Sequence, residues 1–326
     1  MPTKSSYLPL PYHSSGNPTA PPAGLPLFHQ PWWLDATCGS GRWQGWYLPH
    51  ADGSLAAAIA WMEKSAPWGR TVRMPPFTPY LGIYLAPEMG CAGKRTTRYH
   101  RENQLVDALA DTLPGCLWYH QIHTDSLLNW LPFQRRGYRQ STRYTYLLSP
   151  QSAAQRWDDL EPSVRNKIRK AEKSGITVAR TGHPDVLRSL CRDTFRRQGL
   201  ASPFDRPHWS ALHAAVQARG QGDIYVASLP DDRPVAALYR IWDDRTAFCW
   251  MLATDTAQRH TGAASLSLWH AIRDTMAEGK VFNFEGSMLP TVEPFFRSFG
   301  AERTPVHQIF KPANRWIHAL HVLLRD

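Results

Sequence analysis

The stretch from Phe248 to Glu285 constrains the fold more than any other part of this 326-residue chain. It opens on the apolar run Phe248-Cys249-Trp250-Met251-Leu252-Ala253 and passes through a polar joint ending Arg259-His260-Thr261-Gly262-Ala263-Ala264. A helical run over 263–278 follows, and then a short apolar run over 280–284. A strand–helix–strand unit of this kind buries its apolar faces only in a layered α/β structure. The joint reads R-x-x-G-x-A. Small residues there let backbone approach a pyrophosphate, and the first N–H groups and dipole of the following helix attract an anion. Arg259 can add a forked counter-charge. Arg259, Thr261, Gly262, Ala263 and Ala264 are therefore the candidate cofactor-binding set, for a ligand that carries a pyrophosphate. The same spacing also fits an ordinary strand-to-helix joint with a packing glycine.

The run after the helix is Lys280-Val281-Phe282-Asn283-Phe284-Glu285-Gly286. A period of two puts Phe282 and Phe284 on one face and Val281, Asn283 and Glu285 on the other. Glu285 falls where the apolar strand ends, at the carboxyl edge where open α/β sheets bind ligands. A partly buried carboxylate there can take a proton from an attacking amine, directly or through water. Glu285 is the candidate catalytic base. A structural carboxylate, paired with an arginine or capping the next segment, fits the same position.

The element order repeats. Residues 1–26 are rich in Pro, Ser and Gly and read as a disordered leader. An aromatic helical turn begins at Phe28. Residues 43–48 and 55–61 form a hairpin across Asp52-Gly53. Helices are expected at 98–112 and 126–137, and strands at 115–121 and 140–148. After Leu148-Ser149-Pro150, helices are expected at 158–175, 184–198 and 206–219, a hairpin at 223–228 and 235–242, and the unit described above. A short helix at 294–299 and a strand at 306–311 complete the chain. Domains at 27–150 and 151–326 follow, alike in element order and not in residues.

Hydrophobic residues make up 43% of the chain, enough for a sizeable core. There are 37 Lys and Arg against 27 Asp and Glu, a formal charge of +10 that favours anionic partners. The five cysteines are scattered with no C-x-x-C pair, which argues for free thiols in a reducing compartment and against a zinc ribbon. No apolar run approaches the ~20 residues of a membrane span, and no signal peptide is evident, so a cytoplasmic protein without integral membrane association is expected.

Three further sets complete the candidates. Arg165, Arg169 and Lys173 fall on one face of the expected helix 158–175, as a phosphate-reading stripe or a solvated face. Phe77 and Tyr80 sit in Met74-Pro75-Pro76-Phe77-Thr78-Pro79-Tyr80, an irregular path that can wall a substrate groove or simply link two strands. Lys311, at the end of the last strand, joins them as a substrate-binding candidate. His120 and His123 lack a carboxylate or cysteine nearby to complete a metal set, and none is expected. Hydrolase and nucleoside-triphosphatase motifs do not occur.

Several ordered stretches resemble one family: Trp32-Trp33-Leu34-Asp35-Ala36, Met74-Pro75-Pro76-Phe77-Thr78-Pro79, Arg143-Tyr144-Thr145-Tyr146 and Arg169-Lys170-Ala171-Glu172-Lys173-Ser174-Gly175-Ile176. Phe284-Glu285-Gly286-Ser287-Met288 and Phe295-Phe296-Arg297-Ser298-Phe299-Gly300-Ala301 continue the series. From about Phe28 to Lys311 the chain resembles the Fem-like (FemAB/BioF2-like) acyltransferases of the GNAT superfamily. The resemblance implies an α/β (α+β) fold of two tandem GNAT-like domains, each a mixed sheet flanked by helices, with a cleft between or beside them. It implies that the loop Arg259 to Ala264 holds the pyrophosphate of coenzyme A, so that an acyl group passes from acyl-CoA to an amine on a small molecule or cell-wall precursor. Fem transferases instead take an aminoacyl group from tRNA, which is the alternative donor. The chain has no room for the long helical-hairpin arm of some Fem transferases, and the expectation leans towards the thioester. A non-catalytic binding protein of the same fold is the remaining reading.

Overall fold

The computed structural model describes residues 7–13, 20–67, 69–87, 94–197, 201–202, 204, 208–286 and 288–313. The chain divides into two compact units: residues 1–143 with 305–326, and residues 144–304.

Unit 1 begins with β1 (Leu10–His13), α1 (Pro31–Cys38), β2 (Trp43–Pro49), β3 (Leu55–Ala66), β4 (Gly69–Arg73) and β5 (Gly82–Leu85). It continues with α2 (Arg95–Ala110), β6 (Trp118–Ile122), α3 (Leu131–Arg135) and the start of β7 (Arg139–Leu148). β1, β2 and β3 pair antiparallel. β3 then pairs with β4 and with β5 along different lengths, and β4 runs parallel to β6. The alanine run of β3 is fully buried, where small side chains admit Leu105 and Leu109 of α2 into the same cluster.

Unit 2 takes up the end of β7, followed by α4 (Ala153–Asp158), α5 (Pro162–Lys173), β8 (Thr177–Thr181), α6 (Asp185–Arg197) and α7 (His208–Ala218). Then come β9 (Gly222–Ser228), β10 (Pro234–Trp242), β11 (Thr246–Thr254), α8 (Ala263–Ala277), β12 (Val281–Asn283), α9 (Glu293–Arg297) and the start of β13 (Glu302–Pro312). Its mixed sheet has the order β8-β9-β10-β11-β12-β7. Only β11 and β12 in it are parallel, as a strand–helix–strand crossover through α8 requires.

The two units share an order: a hairpin, a third antiparallel strand, a helix, a strand parallel to the third, a short helix, and a last strand. Those last strands are exchanged. β7, which ends the first run, pairs with β12 of unit 2, and β13, which ends the second, pairs with β6 of unit 1.

Three expectations need correction. The leader read as disordered contains β1, paired with β2. The ring of Tyr12, 1% exposed, lies where a side chain at Gly45 would otherwise stand, and this contact orders the strand. Residues 1–6 and 14–19 of that leader lie outside the described residues. The helix expected at 126–137 is only the short α3, because Pro132 must sit in a first turn and the residues before it form turns. The helix expected at 158–175 breaks at Glu161, whose extended backbone is what a residue before proline prefers, and α5 restarts at Pro162.

Among the described residues no helix is long and apolar enough to cross a membrane.

Candidate functional site

β11 delivers the chain to the 259–264 loop. Ala247, Cys249 and Leu252 pack towards α8. The strand bulges: Tyr239 faces Met251 and Arg240 faces Cys249, so Trp250 is the extra residue. A bulge bends and twists a strand locally, and bulges recur beside functional sites. Trp250 stacks on Trp209 at 5.3 Å between ring centroids and meets Tyr239 edge-on at 5.2 Å.

The loop itself is a tight 3-10 turn, Thr256–Thr261, started by Asp255, whose Oδ1 accepts the Ala257 N–H at 3.0 Å. Thr261 Oγ1 donates to the Gln258 carbonyl at 2.7 Å and accepts the Ala263 N–H at 3.3 Å, so its hydroxyl is used inside the loop. Gly262 is left-handed, with φ 84°. A Cβ there would sit well inside contact distance of the Lys167 carbonyl oxygen on α5. The glycine therefore serves backbone packing, the plain reading of the motif, and this packing seats the loop against a basic helix. Ala263 is buried and Ala264 half-buried; Thr261 takes the Ala263 N–H, and Gly262 at the N-cap has no side chain to cap the rest of the first turn of α8, whose dipole favours an anion. Arg259 is exposed and makes no hydrogen bond or ion pair to the described residues.

The far end of α8 is tethered. Arg240, 1% exposed, donates to Glu278 at 2.7 Å and to Thr275 at 3.1 Å and lies over the Trp242 ring at 4.4 Å. A buried guanidinium with this many partners fixes the helix axis, and with it the direction of the N-terminus.

Glu285 follows β12 directly. Phe282 and Phe284 enter the core with Phe296 and Phe299, as period two requires. Glu285 has φ 60°, and Gly286 after it has φ 67°. A side chain at Gly286 would collide with the Tyr144 carbonyl, so this turn has room for glycine alone. The Glu285 N–H donates to Asn283 Oδ1 at 2.7 Å, and Thr145 Oγ1 donates to the same oxygen at 2.6 Å. The residue as a whole is half-buried, but Oε1 is buried and has no hydrogen-bond partner among the described residues. Burial holds the carboxyl well above the ordinary carboxylate range. Cys249 is its titratable neighbour: burial first, and the Glu285 charge second, push that thiol up.

The other candidates are placed as follows. Arg165 donates to the Asp158 carbonyl at 2.8 Å and closes the end of α4; Arg169 lies over the Trp157 ring at 5.4 Å. Both hold the α4–α5 corner. Lys167, Lys170 and Lys173 remain exposed without partners among the described residues. Phe77, half-buried, has φ 59°, and Tyr80 is 6% exposed with its ring against Phe28, which makes it core and not groove wall. Both belong to unit 1, as does Lys311, which donates to the Arg136 carbonyl at 2.7 Å and lies over the Tyr138 ring. His123 is fully buried, its Nδ1 accepting the Ile83 N–H at 3.0 Å.

Three features escaped the sequence reading: the Trp250 bulge, the seat of Gly262 on Lys167, and the Thr145–Asn283 pair behind Glu285. The alternation that set Asn283 on the Glu285 face was the only local trace of the last.

Residues 161–294 match the family described as Acetyltransferase (GNAT) domain. That match covers part of the chain, and over most of its length the chain has the fold seen in FemX. FemX is similar at a TM-score of 0.61 and 12% identity, over 86% of this chain and 91% of its own. L-PGS from Bacillus licheniformis is similar at 0.50 and 11%, over 87% and 89%. The C-terminal domain (DUF2156) of a putative lysylphosphatidylglycerol synthetase from Agrobacterium fabrum is similar at 0.50 and 13%, over 87% and 88%. No curated protein matches the chain.

Proposed function

We propose that this protein transfers an aminoacyl group from a tRNA ester to an amine, the alternative that the sequence ranked second to a coenzyme A thioester. The observation that carries this reading is the seat of Gly262 on Lys167. It brings the loop that carries the exposed Arg259 against the helix that carries the exposed Lys167, Lys170 and Lys173. One pyrophosphate occupies a single helix end. Exposed cations on the loop and on the helix it packs against suit a polyanion. The likeness to FemX, and to a protein whose name joins a lysyl group to phosphatidylglycerol, supports the same branch. In this reading the chain is two GNAT-like halves in tandem, and the half with the 259–264 loop and Glu285 binds the donor.

The chemistry follows from the groups present. The amine nitrogen attacks the ester carbonyl, the new C–N bond forms, and the C–O bond to the ribose breaks. Glu285, ionised, takes the proton from nitrogen and returns it to the departing ribose oxygen. N–H groups at the start of α8 and beside the sheet favour the anionic oxygen of the intermediate. A cavity of about 600 Å³ reaches Asp255 at the start of the loop, with Asp185, Asp193, Arg196 and Arg233 on its wall.

The test is donor discrimination by calorimetry, acetyl-CoA against a charged-tRNA pool, with the intact protein and with Arg259→Ala and Lys167→Ala/Lys170→Ala. The expected result is tighter binding of charged tRNA, with a log–log salt slope that falls by about one for each cation removed. Tight acetyl-CoA binding with tRNA affinity unchanged in the variants returns the assignment to the thioester.

A further inference from the structure

We propose that Asn283 and Thr145 are positioning residues that hold the Glu285 carboxyl in its buried place. The inference rests on Glu285 being the proton-accepting group of the reading above.

A glutamate at φ 60° is strained, by about 1–2 kcal/mol for a residue with a Cβ, and it keeps that conformation only where its surroundings over-determine it. Two devices do so here. Gly286 is wedged against the backbone of Tyr144 and Thr145, so the chain after Glu285 cannot swing back towards β7. The Glu285 N–H is claimed by Asn283 Oδ1, at 2.7 Å. Asn283 is 3% exposed and lies in β12 opposite Leu147 of β7. Its side-chain oxygen would be free to turn were it not also the acceptor of Thr145 Oγ1 at 2.6 Å, from a threonine that is fully buried. Thr145 thus fixes the amide, the amide fixes the Glu285 N–H, and the side chain is left with a direction in which Oε1 is buried and finds no partner among the described residues. Nothing else at the end of a strand calls for this arrangement. An extended residue 285 would continue the ladder that Phe284 still joins through its N–H to the Tyr146 carbonyl at 3.0 Å.

The arrangement predicts a hierarchy. Asn283→Ala removes the acceptor of both bonds and lets residue 285 relax to an ordinary backbone with its carboxyl towards water. Thr145→Val removes the donor that orients Asn283 and gives a smaller change of the same sign. Thr145→Ser keeps the hydroxyl.

The experiment is carbon-13 NMR of the full chain labelled at glutamate Cδ, with the Glu285 resonance assigned by its loss in Glu285→Gln. This readout needs no acyl transfer, so an absent activity and a wrong positioning role are told apart. In Asn283→Ala the titration midpoint of that resonance should move down by about one pH unit or more, towards the solvated carboxylate value. Thr145→Val should move it part of the way, and Thr145→Ser should restore the wild-type midpoint. A midpoint unchanged in a folded Asn283→Ala protein overturns the proposal. Should that variant fail to fold, an unchanged midpoint in Thr145→Val overturns it equally.

Discussion

Gly262 rests on the carbonyl oxygen of Lys167, backbone against backbone, so the loop that follows β11 and the basic helix α5 form a single surface. The candidate phosphate loop and the basic helix are therefore in contact, and in the proposed reading both serve one donor.

That contact predicts the behaviour of Gly262→Ala. The substitution places a Cβ at φ 84° and drives it into the Lys167 carbonyl. The cost expected is about 1–3 kcal/mol, from the left-handed backbone and the displaced helix together. Urea unfolding should show the loss in midpoint, with donor affinity falling alongside. An unaltered midpoint would mean that α5 yields freely and that the surface is not one unit.

Glu285→Gln should act on both rate and stability, with opposite signs. The carboxyl is held well above its ordinary range by burial, so the folded protein binds its proton more tightly than the unfolded chain does. The stability this contributes is fully present below the unfolded value, near 4.5, and is lost as pH rises through the folded one. Glu285→Gln cannot ionise, so it should gain stability relative to wild type as pH increases, seen as diverging melting temperatures. Turnover should move the other way. The wild-type rate should climb with pH as the carboxyl ionises, and the glutamine variant should lack that limb and lose about 10²–10⁴-fold in rate. Donor affinity should change far less. Wild-type and variant melting curves that run parallel across pH would contradict the buried, neutral carboxyl.

The imidazoles of unit 1 set an acid limit. His29 is buried with Nε2 bonded to the Gly82 carbonyl at 2.7 Å, and burial lowers its pKa to about 4. His123 is lowered to about 3, first by burial and then by His307, His29 and His120. Both are neutral in the folded unit, while the unfolded chain takes up protons near the ordinary value of 6.5. Their contribution is complete above that value and is lost as pH falls through about 4 and then about 3. Melting followed from pH 7 downwards should show stability starting to fall near 6.5 and falling further as acid is added. His123→Gln should flatten the slope, and a slope identical to wild type would remove His123 from the account.

Local pattern made much of this molecule legible. The hairpin across Asp52-Gly53 and the faces of β12 are set by residues a few positions apart, and each stands where its pattern puts it. The crossover through α8 likewise follows from its apolar periodicity. Glu285 is a candidate because the apolar alternation over 280–284 ends there, at the carboxyl edge of the strand. The candidates that fared differently depend on distant neighbours. Tyr80 belongs to the core because Phe28 packs on it, and Arg165 closes α4 because Glu161 breaks the helix that a continuous periodicity suggests. Short sequence windows carry no record of such partners.

The amino-acid sequence by itself determined the α/β class, the strand–helix–strand unit around Gly262 and the chemical type of the residues at its ends, since turn chemistry and side-chain period act over a few residues. Tertiary structure alone decided the rest. Long-range strand pairing, which periodicity does not encode, gave β7 and β13 to each other's sheets. Close approach of two backbones seated the 259–264 loop on Lys167. A hydrogen bond from Thr145 across to Asn283, with a glycine wedged beside it, bent the chain at Glu285 into a conformation that no local preference favours.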